Sequence, residues 1–290
     1  MMQLTAFLEY SSASDPPRNY CLWDYVSPVP AEDKFRAVNL LLQSFDYAGA
    51  GAAGLQLVNQ LRTAIGSFQT VFGIKMNGGQ LSWEFYFYDY QREQRQVGVN
   101  RVLEACASGF RCPLRIDETL PYFMFSLDID LPLLAGQRDT DVVHVYVGNP
   151  GSTVSSGICY ALRTDTTLLE NFYFFFDSAA QMDEVKAKLC SSVHFNPARH
   201  SFAQLLLPEL SDCQTICIAN KPGNDCIYYS GIDIVQLQFF LKYFDYPLPI
   251  QDFVQTHRGM LDHLLFDVGI DFRAERGVIQ LLKSGYFGVF

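Results

Sequence analysis

The sequence predicts an α+β fold: a ten-stranded antiparallel barrel with helices on its outside. Three observations carry this. Strand-like runs come in pairs joined by turns, five times over; helical segments separate most of the pairs; and each strand alternates a greasy face with one of Tyr, Ser, Met, His and isolated carboxylates. Lys, Glu and Thr dominate an ordinary solvated strand face, so the second face reads as the wall of a partly shielded cavity. Eight strands leave room for little beyond side chains or one small ligand, so ten leave a usable lumen. The alternative is an open antiparallel sheet with helices on one face and water on the other, which carries two unpaired edges.

Residues 1–32 are punctuated by Pro and Ser and read as an irregular arm; 33–290 read as one domain. Apolar positions at helical spacing follow: Phe35, Val38, Leu41, Leu42 and Phe45, then Leu55, Val58, Leu61 and Ile65, with AGAGAAG between them. A broken helix or helix pair over 33–66 is expected. The period then changes from 3.6 to 2. The first hairpin is TVFGIKM and QLSWEFYFYDY across Asn77-Gly78, a strong turn signal. The second joins YFMFSLDID to DVVHVYVGN, the third GICYALR to ENFYFFFD, the fourth TICIAN to DCIYYSG, and the fifth HLLFDVGIDF to VIQLLKSGYFGVF. Helices are expected at about 98–109, 179–191, 201–208, 233–244 and 250–260, with none between the second and third hairpins.

Parity assigns the faces. Leu81, Trp83, Phe85 and Phe87 oppose Ser82, Glu84, Tyr86 and Tyr88; Phe123, Phe125, Leu127 and Ile129 oppose Tyr122, Met124, Ser126 and Asp128. Val143, Val145 and Val147 oppose His144 and Tyr146, and Leu264, Phe266, Val268 and Ile270 oppose His263, Leu265, Asp267 and Gly269.

Composition narrows the function. With 49% apolar and 18% charged residues, 290 residues build a sizeable core, which excludes disordered, collagen-like and coiled-coil classes. The 24 Phe, 16 Tyr and 2 Trp exceed what core filling needs. A net charge of −10 repels phosphate backbones and anionic lipid, so neither nucleic acid nor membrane is an expected partner. The opening segment has no basic stretch before an apolar run, no later stretch is long and apolar enough to span a bilayer, and the chain is expected in the cytoplasm. Eight cysteines show no CxxC spacing and read as reduced. GNPGSTVSSG at 148–157 lacks the Gly-Lys-Ser/Thr ending of a P-loop and reads as a rim loop; no HExxH occurs.

Cations inside strand runs are scarce, yet they recur in four of the five hairpins as Lys75, Arg163, Lys221 and Lys283, with His144 in the comparable place of the remaining one. Lys75 lies opposite Phe72, Ile74 and Met76, and Lys221 opposite Ile216 and Ile218. Lys283 shares parity with Ile279 and Leu281 unless a bulge intervenes. Edge protection is the ordinary use of a strand lysine. Recurrence around a lumen points instead to an anionic ligand, because a buried trianion needs several cations and hydroxyl donors.

Helix–hairpin–helix units around a wide antiparallel barrel resemble the ABBA, or PT-barrel, soluble prenyltransferases. The likeness covers roughly 33–290 as an element order. Within that family WEFYFYDY, PYFMFSLDID, VHVYVGNPGS, ICIANK and LLFDVGIDF look most like the cyanobactin-type peptide prenyltransferases. The resemblance implies an isoprenoid diphosphate donor (dimethylallyl or geranyl), transfer by carbocation formation in the lumen, and a peptide acceptor. It implies that Lys75, His144, Arg163, Lys221 and Lys283 hold the diphosphate while Tyr146, Tyr173, Tyr228 and Tyr286 shield the cation. Glu84 is the candidate catalytic base, being the only charge in the middle of its strand and in the place where the family carries its acidic residue, and Asp128, Asp267 and Asp271 add negative potential for a basic acceptor such as Arg or His. Mg²⁺ is expected only as a passenger of the diphosphate, and the assembly as a monomer or weak homodimer. The alternatives are an indole or phenol prenyltransferase on the same barrel, a non-catalytic barrel holding a hydrophobic ligand, or an unrelated α+β fold.

Overall fold

The computed structural model describes residues 7–149, 152 and 154–290. The first six residues of the arm and three residues of the predicted rim loop (150, 151 and 153) lie outside the described residues.

The chain forms a closed ten-stranded antiparallel barrel with eight α-helices among the described residues. In order the elements are α1 (Val38–Tyr47), α2 (Gly51–Ile65), β1 (Thr70–Asn77), β2 (Gln80–Tyr88), α3 (Val99–Cys106), β3 (Met124–Ile129), α4 (Leu131–Leu134), β4 (Val143–Gly148), β5 (Ser156–Leu162) and β6 (Thr167–Asp177). They continue with α5 (Met182–Cys190), β7 (Thr215–Asn220), β8 (Asp225–Ile232), α6 (Ile234–Tyr243), α7 (Leu248–Thr256), α8 (Arg258–Leu261), β9 (Phe266–Glu275) and β10 (Val278–Val289). Every strand pairs with its sequence neighbour, and β10 returns to β1 with Val289 opposite Val71 and Tyr286 opposite Ile74. Closure removes both sheet edges. The hairpin turns therefore gather at one end of the barrel, the mouth, and the links between hairpins at the other, the floor.

Local chemistry explains the elements. Gly78 and Gly79 both sit at positive φ (55° and 81°), the type I′ geometry that matches strand twist and fixes the β1–β2 register. The AGAGAAG break lets α2 fold back on α1: a Cβ on Gly54 would collide with the Phe45 ring. Asp233 caps α6 by accepting from Val235 and Gln236 N–H (2.8 and 2.9 Å), and Gln236 accepts in return from Asp233 N–H. The greasy faces pack beneath the helices, with Phe72, Trp83, Phe85 and Phe125 against Leu41, Phe45, Val58 and Val102. Trp83 donates its indole N–H to Ser44 Oγ (2.8 Å), satisfying two buried polar groups at once.

Three expectations change. The helix expected at 201–208 is two short 3₁₀ turns, Phe202–Gln204 and Pro208–Leu210. The Tyr229 hydroxyl takes over there: it donates to the Leu205 carbonyl and accepts from Leu207 N–H, groups a continuing helix pairs internally. The first helix begins at Val38 rather than at 33, because Asp33 sits in a turn at positive φ (59°) and Phe35 bridges Tyr10. Tyr122 does not face the lumen. It precedes β3, outside the reach of strand parity, and lies in the outer core with the Arg95 guanidinium 3.6 Å above its ring. No helix separates β4 from β5, and the outer face of β6 leaves Leu169 and Phe172 partly in solvent.

Candidate active site

The lumen has two storeys. The deeper one is an aromatic belt to which every even-numbered strand contributes one ring: Tyr86 (β2), Tyr146 (β4), Tyr173 (β6), Tyr228 (β8) and Phe287 (β10). Successive centroids lie 5.9 Å (Tyr86–Phe287), 6.1 Å (Phe287–Tyr228), 6.4 Å (Tyr228–Tyr173) and 5.8 Å (Tyr173–Tyr146) apart. Hydrogen bonds close the ring: the hydroxyls of Tyr146 and Ser126 meet at 3.2 Å, Ser126 donates to Glu84 Oε1 (2.5 Å), and Tyr86 donates to Glu84 Oε2 (2.6 Å). The odd strands make room with small residues beside each ring. Gly73 lies opposite Phe287, Ser126 opposite Tyr86, Cys159 opposite Tyr146, Ala219 opposite Tyr173, and Gly269 opposite Tyr228. A Cβ on Gly73 would come within 2.6 Å of the Phe287 ring, and one on Gly269 within 2.6 Å of Tyr228.

Above the belt, toward the mouth, lies a cavity of about 250 Å³ lined by charges. Lys75 on β1 donates to Glu84 Oε2 and to Asp128 Oδ1 (3.2 Å), and His144 Nδ1 is 3.7 Å from Asp128 Oδ2. Lys221, one residue past β7, donates to Asp271 Oδ1 (2.8 Å), and Lys283 Nζ is 3.6 Å from Asp271 Oδ2. Three lysines thus share the cavity with four carboxylates: Glu84, Asp128, Glu170 and Asp271.

Electrostatics follows from this crowding. Burial alone raises the Glu84 pKa, but the Lys75 ammonium, helped by His144, overrides it and holds the carboxyl well below the usual range. Asp271 is likewise lowered against its burial, by Lys221 and Lys283. Lys75 is pushed up despite burial by Asp128 and Glu84. Lys283 is pulled down, chiefly by repulsion from Lys75 and then by burial. Lys221 is pushed up despite burial, with Asp271 among the causes, so Lys283 alone of the three lysines carries uncompensated repulsion.

Most candidate residues converge. Lys75, Glu84, Asp128, His144, Tyr146, Tyr173, Lys221, Tyr228, Asp271 and Lys283 all line the cavity. Three do not. Arg163 lies just past the end of β5, where strand parity no longer aims side chains, and pairs with Asp141 at 2.9 Å on the surface. Tyr286 points outward into the helix-covered core against Tyr246 (5.5 Å). A bulge between Leu281 and Lys283 turns Lys283, Gly285 and Phe287 inward, and Tyr286 therefore outward. Asp267 faces the lumen but at the floor, where it accepts from Tyr20 N–H (3.2 Å), apart from the cavity.

Other residues escape sequence reasoning. Glu170 and Asn171 both reach the cavity because the β5–β6 register shifts beside them. Phe287 carries a usable signal, the parity it shares with Gly285 and Lys283. Ser126 carries another, its place two residues before Asp128. Among the described residues, the one group spaced to ligate a metal is Glu84, Asp128 and His144, with ligand atoms within 4.8 Å of one another. The Lys75 ammonium already sits between those two carboxylates. No helix among the described residues is long and apolar enough to cross a membrane. A comparison with protein-family models finds no match to this chain, and a comparison with curated proteins finds none either.

Proposed function

We propose that this barrel is a prenyltransferase that moves an isoprenyl group from its diphosphate to a cationic side chain of a peptide. One observation carries the reading: three lysines from separate hairpins converge on a single cavity whose inner wall is a belt of five aromatic rings, with one buried glutamate at the border. A diphosphate suits the three lysines, and Lys283 most, since Lys75 repels it. Aromatic faces suit an allylic cation, which they stabilise and keep from water.

The chemistry runs as a change of partners. The donor diphosphate draws Lys75, Lys221 and Lys283 away from their carboxylates. Its C–O bond breaks, the electron pair leaves with the diphosphate, and the isoprenyl cation faces Tyr146, Tyr173 and Tyr228. An acceptor nitrogen forms the new C–N bond and passes its proton to Glu84. With Lys75 beside it Glu84 is a weak base; once Lys75 turns to the diphosphate, its proton affinity rises toward the useful range. Four carboxylates against three lysines leave the cavity net negative, which favours a guanidinium acceptor that takes over Glu84 and Asp128. A Mg²⁺ carried by the diphosphate would meet Asp128 and His144 only after Lys75 moves, and no step here depends on it. A cavity of about 250 Å³ is smaller than most ligand sites, which run roughly 300–1,000 Å³. It takes a five-carbon donor and leaves the acceptor at the mouth, as a peptide side chain requires.

The test is incubation with dimethylallyl or geranyl diphosphate and cyclic peptides containing Arg, His, Tyr or Trp, followed by mass spectrometry. A mass gain of one isoprenyl unit on Arg or His is expected; product only on free indoles or phenols overturns the peptide acceptor. The pairing of every cavity lysine with a carboxylate favours a second reading, a barrel that holds a hydrophobic ligand without turning it over. That reading expects no product from any donor.

A further inference from the structure

The barrel does not build its floor alone. Below the belt Val71, Tyr88 and Met124 of the strands are joined by a further ring, Tyr20, which comes from the N-terminal arm. Its centroid is 5.1 Å from Tyr86, 5.1 Å from Phe287 and 6.3 Å from Tyr88, each in edge-on contact. Tyr86 and Phe287 line the cavity and Tyr20 does not, so the floor is two rings deep with Tyr20 as its lower layer.

The arm presents this ring on a tight loop. Arg18 bridges Asp24, Asn19 N–H donates to the Trp23 carbonyl (2.9 Å), the Asn19 side chain accepts from Cys21 and Trp23 N–H (2.9 and 3.0 Å), and Leu22 adopts a φ of 57°. Main-chain and neighbouring groups tie the loop to the barrel independently of the ring. Arg18 donates to the Phe68 carbonyl (2.8 Å), Tyr90 donates to the Cys21 carbonyl (2.9 Å), Tyr20 N–H donates to Asp267 (3.2 Å), and Tyr25 accepts from Leu265 N–H (3.1 Å). Removing the ring therefore leaves the loop anchored and opens a hole beneath Tyr86 and Phe287.

We propose that Tyr20 is the specificity-determining residue for chain length: it sets the depth of the lumen and limits the donor to a short isoprenyl group. This rests on the prenyltransferase reading above and adds to it a residue from outside the barrel wall. With the ring present, a longer chain meets packed aromatics. Without it, Tyr86 and Phe287 can tilt into the vacated space, and the chain extends toward the floor.

The experiment compares the wild-type protein with Tyr20→Gly, Tyr20→Ala and Tyr20→Phe. Dimethylallyl and geranyl thiodiphosphate are titrated calorimetrically, and both diphosphates are offered in one competition assay, whose product ratio does not depend on the fraction of active protein. The expected result is a shift of roughly 10-fold or more toward the geranyl donor in Tyr20→Gly and Tyr20→Ala, with Tyr20→Phe unchanged. An unchanged ratio overturns the proposal and leaves the prenyltransferase reading standing. If neither protein binds a diphosphate, the prenyltransferase reading falls by itself. The floor is then judged by thermal shift with n-alkylamines from butyl to dodecyl, whose ammonium suits the cavity carboxylates. Stabilisation by longer chains in Tyr20→Gly supports Tyr20 as the depth stop, and identical chain-length profiles overturn it.

Discussion

The mouth and the floor of one lumen bury their side chains by opposite means. The mouth gathers three lysines and four carboxylates, in which Lys75 bridges buried Glu84 and half-exposed Asp128 while Lys221 and Lys283 share Asp271. The floor holds rings whose burial is favourable on its own and needs no partner of opposite sign. Buried ion pairs add little net stability, because desolvation consumes most of the attraction, whereas removing one partner is expensive. The floor keeps the barrel filled by its own packing, whereas the mouth holds charges paired across a cavity, partners that under the proposed function a diphosphate would replace.

The largest expected effect tests whether the mouth is chemical at all. Glu84→Gln keeps the shape and most hydrogen bonds but removes the proton acceptor, so single-turnover prenyl transfer is expected to fall by roughly 10²–10⁴-fold. Full turnover in that variant would remove Glu84 from its role.

The next sharpens the contrast in stability. Lys75→Ala strands Glu84 as an uncompensated buried charge, and urea unfolding is expected to show a loss of about 3–5 kcal/mol. Adding Glu84→Gln should recover most of it. Phe287→Ala costs a similar ~3–5 kcal/mol through the cavity it leaves, and no second substitution at a charged site rescues it. Rescue in both storeys, or in neither, breaks the comparison.

The third uses pH. Burial raises Asp267 at the floor from its ordinary 3.8 to about 6, and Ser230 and the Tyr20 and Gly231 amides do not offset this. A raised carboxylate costs stability where it is ionised in both states, above pH about 6, and costs nothing below its unfolded value. Asp267→Asn should therefore stabilise the protein near neutral pH by up to about 3 kcal/mol, a gain that fades as pH falls toward 4. Glu84 and Asp271 at the mouth have the opposite sign. Their lowered values contribute stability above the ordinary carboxylate range and lose it in acid. Melting temperatures across this window, for wild type and Asp267→Asn, read both effects.

The smallest concerns the rim. Arg163→Ala removes a half-exposed surface pair and should change stability by about 0–1 kcal/mol, with donor affinity unaltered. A large drop in diphosphate binding would return Arg163 to the site.

The barrel was legible because parity is: Trp83, Phe85 and Phe87 against Glu84, Tyr86 and Tyr88 show two buried faces of different chemistry, which an open sheet does not need. What parity could not supply is where counting restarts. The extra residue between Leu281 and Lys283 resets the count and turns Lys283 inward; the strand is regular from there, so Tyr286, three residues on, must face outward. Arg163 and Tyr122 failed at strand ends, where alternation no longer constrains direction. Tyr20 was invisible for a different reason. An irregular arm has no period, and its contacts with Tyr86 and Phe287 lie far away in sequence, so nothing local marks it as part of a lumen.

Closing the barrel through β1 and β10 also dictates a timetable. Val71 must find Val289 more than two hundred residues later, so contact order is high and ring closure is expected to be the slow phase of folding. At a synthesis rate of about 5–20 residues per second, β1 waits roughly 10–40 s for its partner to emerge. During that wait the free edges of the growing sheet can template aggregation, and Tyr20, made before every barrel strand, has no lumen to enter until Phe287 on the tenth strand completes the wall around it.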